Sequence, residues 1–125
     1  MIPKKYLKND ALLDDPRVTF VMRSKAKAVL EDMRGQGYPL VVFEAYRTKA
    51  RAAWLKVTGK SQVGNKSMHC LGLAVDMVFC IDSKLTWAPP AGYWEKYAQC
   101  AEAHQLVSGY RWKSFPDAAH IQLGN

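Results

Sequence analysis

The sequence contains no apolar run approaching the roughly 20 residues of a membrane span, so insertion into a bilayer is not expected. Cysteine is scarce. Cys70, Cys80 and Cys100 lack the paired spacing of a zinc knuckle or a thioredoxin motif, and they read as reduced, mostly buried thiols. Internal repeats, linkers and low-complexity stretches are also missing, which excludes fibrous and repeat architectures. Lys4 and Lys5 near the start have no apolar stretch behind them, unlike a signal peptide, and the expectation is synthesis as a soluble cytosolic chain. Acidic residues are outnumbered, 11 against 18 basic ones, for a net charge of +7. Such a surface favours an anionic partner: nucleic acid, an anionic membrane or an acidic cell wall. The basic residues are scattered, with modest clusters at Lys4, Lys5 and Lys8 and at Arg47, Lys49, Arg51 and Lys56. A nucleic-acid module would gather them on one helix or arm, so no nucleic-acid partner is expected, and a solvated basic face is the plain alternative.

What is present fits one compact domain spanning residues 1–125, with 49% hydrophobic and 23% charged residues. Asp14-Asp15-Pro16 predicts a helix start, with Asp15 as cap and Pro16 in the first position. Val18, Met22, Ala26, Val29, Leu30 and Met33 then recur at helical spacing until Gly35 and Gly37. A short apolar strand is predicted over 40–43, leading to Glu44, Tyr46 and Arg47. A second helix over 48–57 should pack through Ala50, Ala53, Trp54 and Val57, and 59–66 reads as a loop. The strongest strand is 73–79, with Leu73, Val75, Met77 and Phe79 on one face and Ala74, Asp76 and Val78 on the other. A third helix over 93–104 and a last strand over 119–123 complete an α+β domain with a small, largely antiparallel sheet and about three flanking helices.

Asp76 is the anomaly, a carboxylate in the middle of an apolar strand. Buried without a partner it would be costly, so it pairs with a base such as Arg47, accepts hydrogen bonds or binds a metal. His69 lies in the loop feeding the same strand, where Gly72 permits an unusual backbone path, and the two are either metal ligands or a hydrogen-bonded pair. His120, on a strand that could lie alongside, would complete two imidazoles and one carboxylate. That set suits a catalytic zinc ion, Zn2+, with an open position for water. Such an ion polarises a carbonyl and lowers the pKa of its bound water to about 7. Asp117, in the turn Ser114-Phe115-Pro116-Asp117, is placed to act as a general base; its other reading is a turn cap.

The run Ser67-Met68-His69-Cys70-Leu71-Gly72-Leu73-Ala74-Val75-Asp76 resembles the Ser-x-His-x-x-Gly-x-Ala-x-Asp signature of the M15 zinc peptidases. That family includes D-alanyl-D-alanine carboxypeptidases and phage L-alanyl-D-glutamate endopeptidases. Trp112 followed by Asp117-Ala118-Ala119-His120 is similar to the family's second motif, and Tyr46-Arg47-Thr48 to its arginine element. The resemblance implies zinc held by His69, Asp76 and His120, with Asp117 as base. Arg47 would stabilise an oxyanion or hold a substrate carboxylate, and Ser67 and Trp112 would line the substrate pocket. It implies hydrolysis of peptidoglycan stem peptides, at the L-alanyl-D-glutamate bond as in phage endolysins; small size, the lack of a signal and the basic surface fit a chain released onto the wall, and a monomer is expected. The chain departs from the family pattern at Arg51-Ala52-Ala53, where a Gln is frequent, at Ala119, where a Pro is frequent, and at Val107-Ser108-Gly109, where relatives often show Trp-Gly-Gly.

The alternatives are a D-alanyl-D-alanine carboxypeptidase using the same ligands, a non-catalytic wall-binding module, and a cysteine hydrolase using Cys70. Beside His69, Cys70 reads more simply as a small buried residue. His104 falls at a helix C-terminus, where an imidazolium interacts favourably with the helix dipole. Trp54, Trp87 and Trp94 read as core or cleft-wall aromatics.

Overall fold

A computed structural model describes residues 2–59 and 67–124. The predicted loop at 59–66 lies, beyond Gly59, outside the described residues. The elements in chain order are α1 (Lys4–Leu7), a 3-10 turn (Lys8–Asp14), α2 (Phe20–Gly35), β1 (Leu40–Glu44) and α3 (Lys49–Val57). A second 3-10 turn (Met68–Leu71), β2 (Ala74–Ile81), β3 (Lys84–Thr86), α4 (Tyr93–Ala103), β4 (Leu106–Ser108), a third 3-10 turn (Gly109–Arg111) and β5 (His120–Leu123) follow. The sheet runs β1-β2-β5-β4, with β3 also paired to β2. Every ladder is antiparallel, and the fold is α+β.

The alternation read in β2 sorts the two faces of the sheet. Val75, Met77 and Phe79 join Leu40, Val42, Leu106 and Ile121 in a core shared with Met22, Val29, Met33, Tyr97 and Ala101 of α2 and α4. Each such fully buried side chain contributes about 1.5–3 kcal/mol of transfer free energy. The opposite face carries Asp76, and α3 and the 67–72 turn lie on that side of the chemistry.

The first long helix starts later than predicted. The Asp15 carboxylate is spent on Arg17, accepting from its backbone N–H at 2.9 Å and from its guanidinium at 3.0 and 2.8 Å, so it forms a turn and not a cap. Thr19 caps the helix instead, accepting from Met22 N–H at 3.3 Å. The packing face of α3 also differs. Ala52 and Leu55 are the buried residues, while Ala50 and Ala53 are exposed, Trp54 is 48% exposed and Val57 86%. Arg47, anchored in the interior just before the Thr48 cap, fixes how the helix enters, and the small alanines exert too little packing force to rotate it. Cys80 and Cys100 are buried, and burial with the adjacent Asp32 pushes the Cys100 thiol up to about 12; Cys70, expected to be buried, is partly exposed.

Candidate metal and catalytic site

A row of residues crosses three strands. Glu44 of β1, Asp76 of β2 and His120 of β5 are register partners, and an irregularity between Val42 and Glu44 shifts β1 at that point. His69 enters from the 3-10 turn, whose start is capped by the Ser67 hydroxyl accepting from His69 N–H at 3.2 Å. Gly72 ends that turn at φ +70, and a Cβ there would collide with the Arg17 carbonyl oxygen, so both conformation and space demand glycine. His69, Asp76 and His120 are 1%, 8% and 6% exposed.

The proton positions follow from the acceptors around the rings. His69 Nδ1–H donates to the Ala45 carbonyl at 2.9 Å, which leaves Nε2 facing Asp76 Oδ1 at 3.1 Å. His120 Nε2–H donates to the Gln122 side-chain oxygen at 2.7 Å, which leaves Nδ1 facing the same Asp76 Oδ1 at 3.2 Å. Two imidazole nitrogens and a carboxylate oxygen, all within 4.8 Å of one another, thus converge with their lone pairs inward. Such a meeting is favourable only with a proton or a cation at its centre. Two neutral imidazoles with outer hydrogen bonds plus one carboxylate is a donor set suited to zinc with a fourth position open. Burial opposes the charge on Asp76, but His69 and His120 outweigh it and hold the carboxyl well below the usual range. Burial likewise opposes a charged His120, and the Asp76 hydrogen bond and charge overcome it to raise that imidazole.

Arg47 is 7% exposed and heavily engaged. Its Nη2 donates to Glu44 Oε1 at 2.8 Å and lies 3.5 Å from Asp76 Oδ2; Nη1 donates to Ser67 Oγ at 3.3 Å. The salt-bridge reading of Asp76 is therefore realised alongside the convergence of the histidines. Arg47 Nε, also buried, has no hydrogen-bond partner among the described residues. Asp117 lines the same cleft, and its backbone N–H donates to Gly109 O at 2.9 Å. Burial first, then the Asp76 charge, raises its carboxyl, against the pull of His120, His69 and Arg47. The Trp112 ring lies 5.0 Å from that of His120. Arg47, Ser67, His69, Asp76, Trp112, Asp117 and His120 all border one cleft of about 740 Å³, with Phe43, Trp54, Trp87 and Phe115 on its apolar walls.

Three contributors escaped the sequence reading. Glu44 bridges Arg47 and, at 3.3 Å, Arg51 Nε. Gln122 sets the His120 tautomer; its place on the His120 face of the last strand was the available signal. Tyr97, fully buried, donates its hydroxyl to the Ala119 carbonyl at 2.9 Å and so steadies the backbone entering β5, which nothing in its helical spacing announces.

The family model described as D-alanyl-D-alanine carboxypeptidase, in the peptidase M15 group, matches residues 60–123, just over half of the chain. The chain is an M15 peptidase family member. The L-Ala D-Glu endopeptidase ChiX of Serratia marcescens has the same fold. It is 24% identical, with a TM-score of 0.77, and the match covers 95% of this chain and 88% of that one. LdcB, an LD-carboxypeptidase solved to explain peptidoglycan recognition, is 15% identical with a TM-score of 0.66, over 85% of this chain and 58% of its own. This M15 chain therefore shares its architecture with both an endopeptidase and a carboxypeptidase.

Proposed function

We propose that this M15 peptidase is a zinc-dependent hydrolase of peptidoglycan stem peptides that cleaves the L-alanyl-D-glutamate bond. The observation that carries the zinc reading is the convergence of His69 Nε2, Asp76 Oδ1 and His120 Nδ1, each imidazole fixed by an outer acceptor. When bound, the ion supplies a Lewis acid for a peptide carbonyl and acidifies water at its open position. Asp117 takes the proton of the attacking water and returns it to the leaving amine. Arg47, whose guanidinium borders the cleft, stabilises the carbonyl oxygen as negative charge develops there. Ser67 keeps the guanidinium in place, and Trp112 and the other aromatic walls exclude water from the cleft.

Cleavage inside the peptide is supported by the state of the cleft's cations. Among the described residues, the cleft's two arginines, Arg47 and Arg51, both lean on Glu44, so neither stands as an uncommitted guanidinium for a free C-terminal carboxylate. We further propose that the enzyme works as a monomer, is made in the cytoplasm and meets the wall after release. Mass analysis of fragments from purified peptidoglycan tests the bond: a new L-alanine C-terminus is expected. Free D-alanine instead would assign the carboxypeptidase reading. Hydrolysis that survives a strong chelator but stops on thiol alkylation would replace zinc by Cys70.

A further inference from the structure

On the other face of the sheet, α2 and α4 bring a second set of unlike donors together. Asp32 lies in the last turns of α2; Cys100 and His104 stand at the C-terminal end of α4, spaced i, i+4 so that both project from one side of that helix. Asp32 Oδ2 is 3.5 Å from Cys100 Sγ and 3.3 Å from His104 Nε2, and the three donor atoms all lie within 4.8 Å of one another. A tetrahedral zinc with a sulfur ligand at about 2.3 Å and nitrogen or oxygen ligands at about 2.0–2.2 Å has donor-to-donor edges of about 3.3–3.6 Å. Two of the observed separations already have that length. The other Asp32 oxygen accepts from Gln36 Nε2 at 2.9 Å, an outer hydrogen bond of the kind that orients a ligating carboxylate. Cys100 is 5% exposed, whereas the His104 side chain is 31% and that of Asp32 45% exposed, so the sulfur is inside and the outer face is open. Glu31 borders the same depression.

A catalytic triad does not explain this geometry. The carboxylate sits between the thiol and the imidazole, contacting both, so the imidazole is not presented to the sulfur as a base. A helix-dipole role for His104 leaves the sulfur out. We propose that Asp32, Cys100 and His104 form a second binding site for a divalent transition metal of the zinc class, linking α2 to α4 across the sheet from the catalytic cleft. Thiolate, imidazole and carboxylate together select zinc or cobalt over calcium or magnesium. Its role is to staple two helices that otherwise meet through apolar contacts.

Cobalt titration of the chelator-stripped full chain, kept reduced, tests this. The cleft site has no sulfur among its donors, so a thiolate-to-cobalt charge-transfer band reports the helical site alone. Two equivalents are expected, one with that band. The band should survive His120→Ala, which removes a cleft ligand, and vanish in Cys100→Ser. In His104→Ala, a change at a partly exposed position, cobalt affinity at the band should fall at least about ten-fold, which preserves the test if the buried Cys100 substitution impairs folding. Absence of the band in the unaltered chain overturns the proposal, as does a band that persists in Cys100→Ser and disappears in Cys70→Ser, or one that His104→Ala leaves unchanged in affinity.

Discussion

Asp117 sits where burial and the neighbouring Asp76 charge raise its carboxyl, with His120, His69 and Arg47 pulling the other way. As a base it works only when ionised, so in the zinc-loaded enzyme kcat/KM should fall as pH drops through its carboxyl pKa, with the ion's charge pulling against the burial that raises it. A pH-rate profile checks the position of that limb. The same shift has a stability consequence of opposite sign. A carboxyl whose folded pKa is raised stabilises the fold while protonated, and that contribution is lost as pH rises through the folded pKa. Asp117→Asn should therefore lower hydrolysis by about 10²- to 10⁴-fold, leave zinc binding intact, and raise the Tm of the metal-free protein at neutral pH. Full activity in Asp117→Asn would remove Asp117 as the base.

Among the elements, the turn from β4 to β5 is closely fitted against the segment that carries Asp117. Gly109 is buried, and a Cβ there would collide with the Asp117 carbonyl oxygen and come within 3.1 Å of His120 Cβ. Gly109→Ala must displace the backbone that carries Asp117, at a cost of about 1–3 kcal/mol in stability. Its kcat should drop more than its zinc affinity, as calorimetry beside steady-state kinetics would reveal. Elements with dense local signals were legible in sequence: β2 through its alternation, the long helix through its apolar spacing, β5 through the His120 and Gln122 face. β3 and β4, three residues each, were not. Asp82 and Ser83 turn β2 into β3 with positive φ at both positions, a conformation that their identities hint at without requiring. The N-terminal segment was missed as well, although Leu13 is fully buried, because its short helical turns repeat no apolar spacing. Asp76 was visible as an anomaly because polarity interrupts an apolar strand. Glu44 was not, since a carboxylate at a strand end is unremarkable until two arginines are found on it.

For the whole molecule, the +7 charge bears on the proposed encounter with an anionic wall more than on the reaction itself. Raising ionic strength from about 0.01 to 0.15 M shortens the screening length from about 30 to about 8 Å. Turnover of intact wall should fall over that range, while cleavage of a short soluble stem peptide changes by less than about two-fold. Equal salt sensitivity on both substrates would place the effect in the cleft.

Helix α3 contributes Arg51, Trp54 and Leu55 to the cleft wall yet buries only Ala52 and Leu55. The donor row on the sheet, by contrast, is locked between strands paired on both sides of β2. The cleft wall and the donor row thus belong to parts of the chain that are held with very different firmness. Outward positions 50, 53 and 57 can be changed at little cost to the framework, so α3 tolerates substitution where the donor row does not.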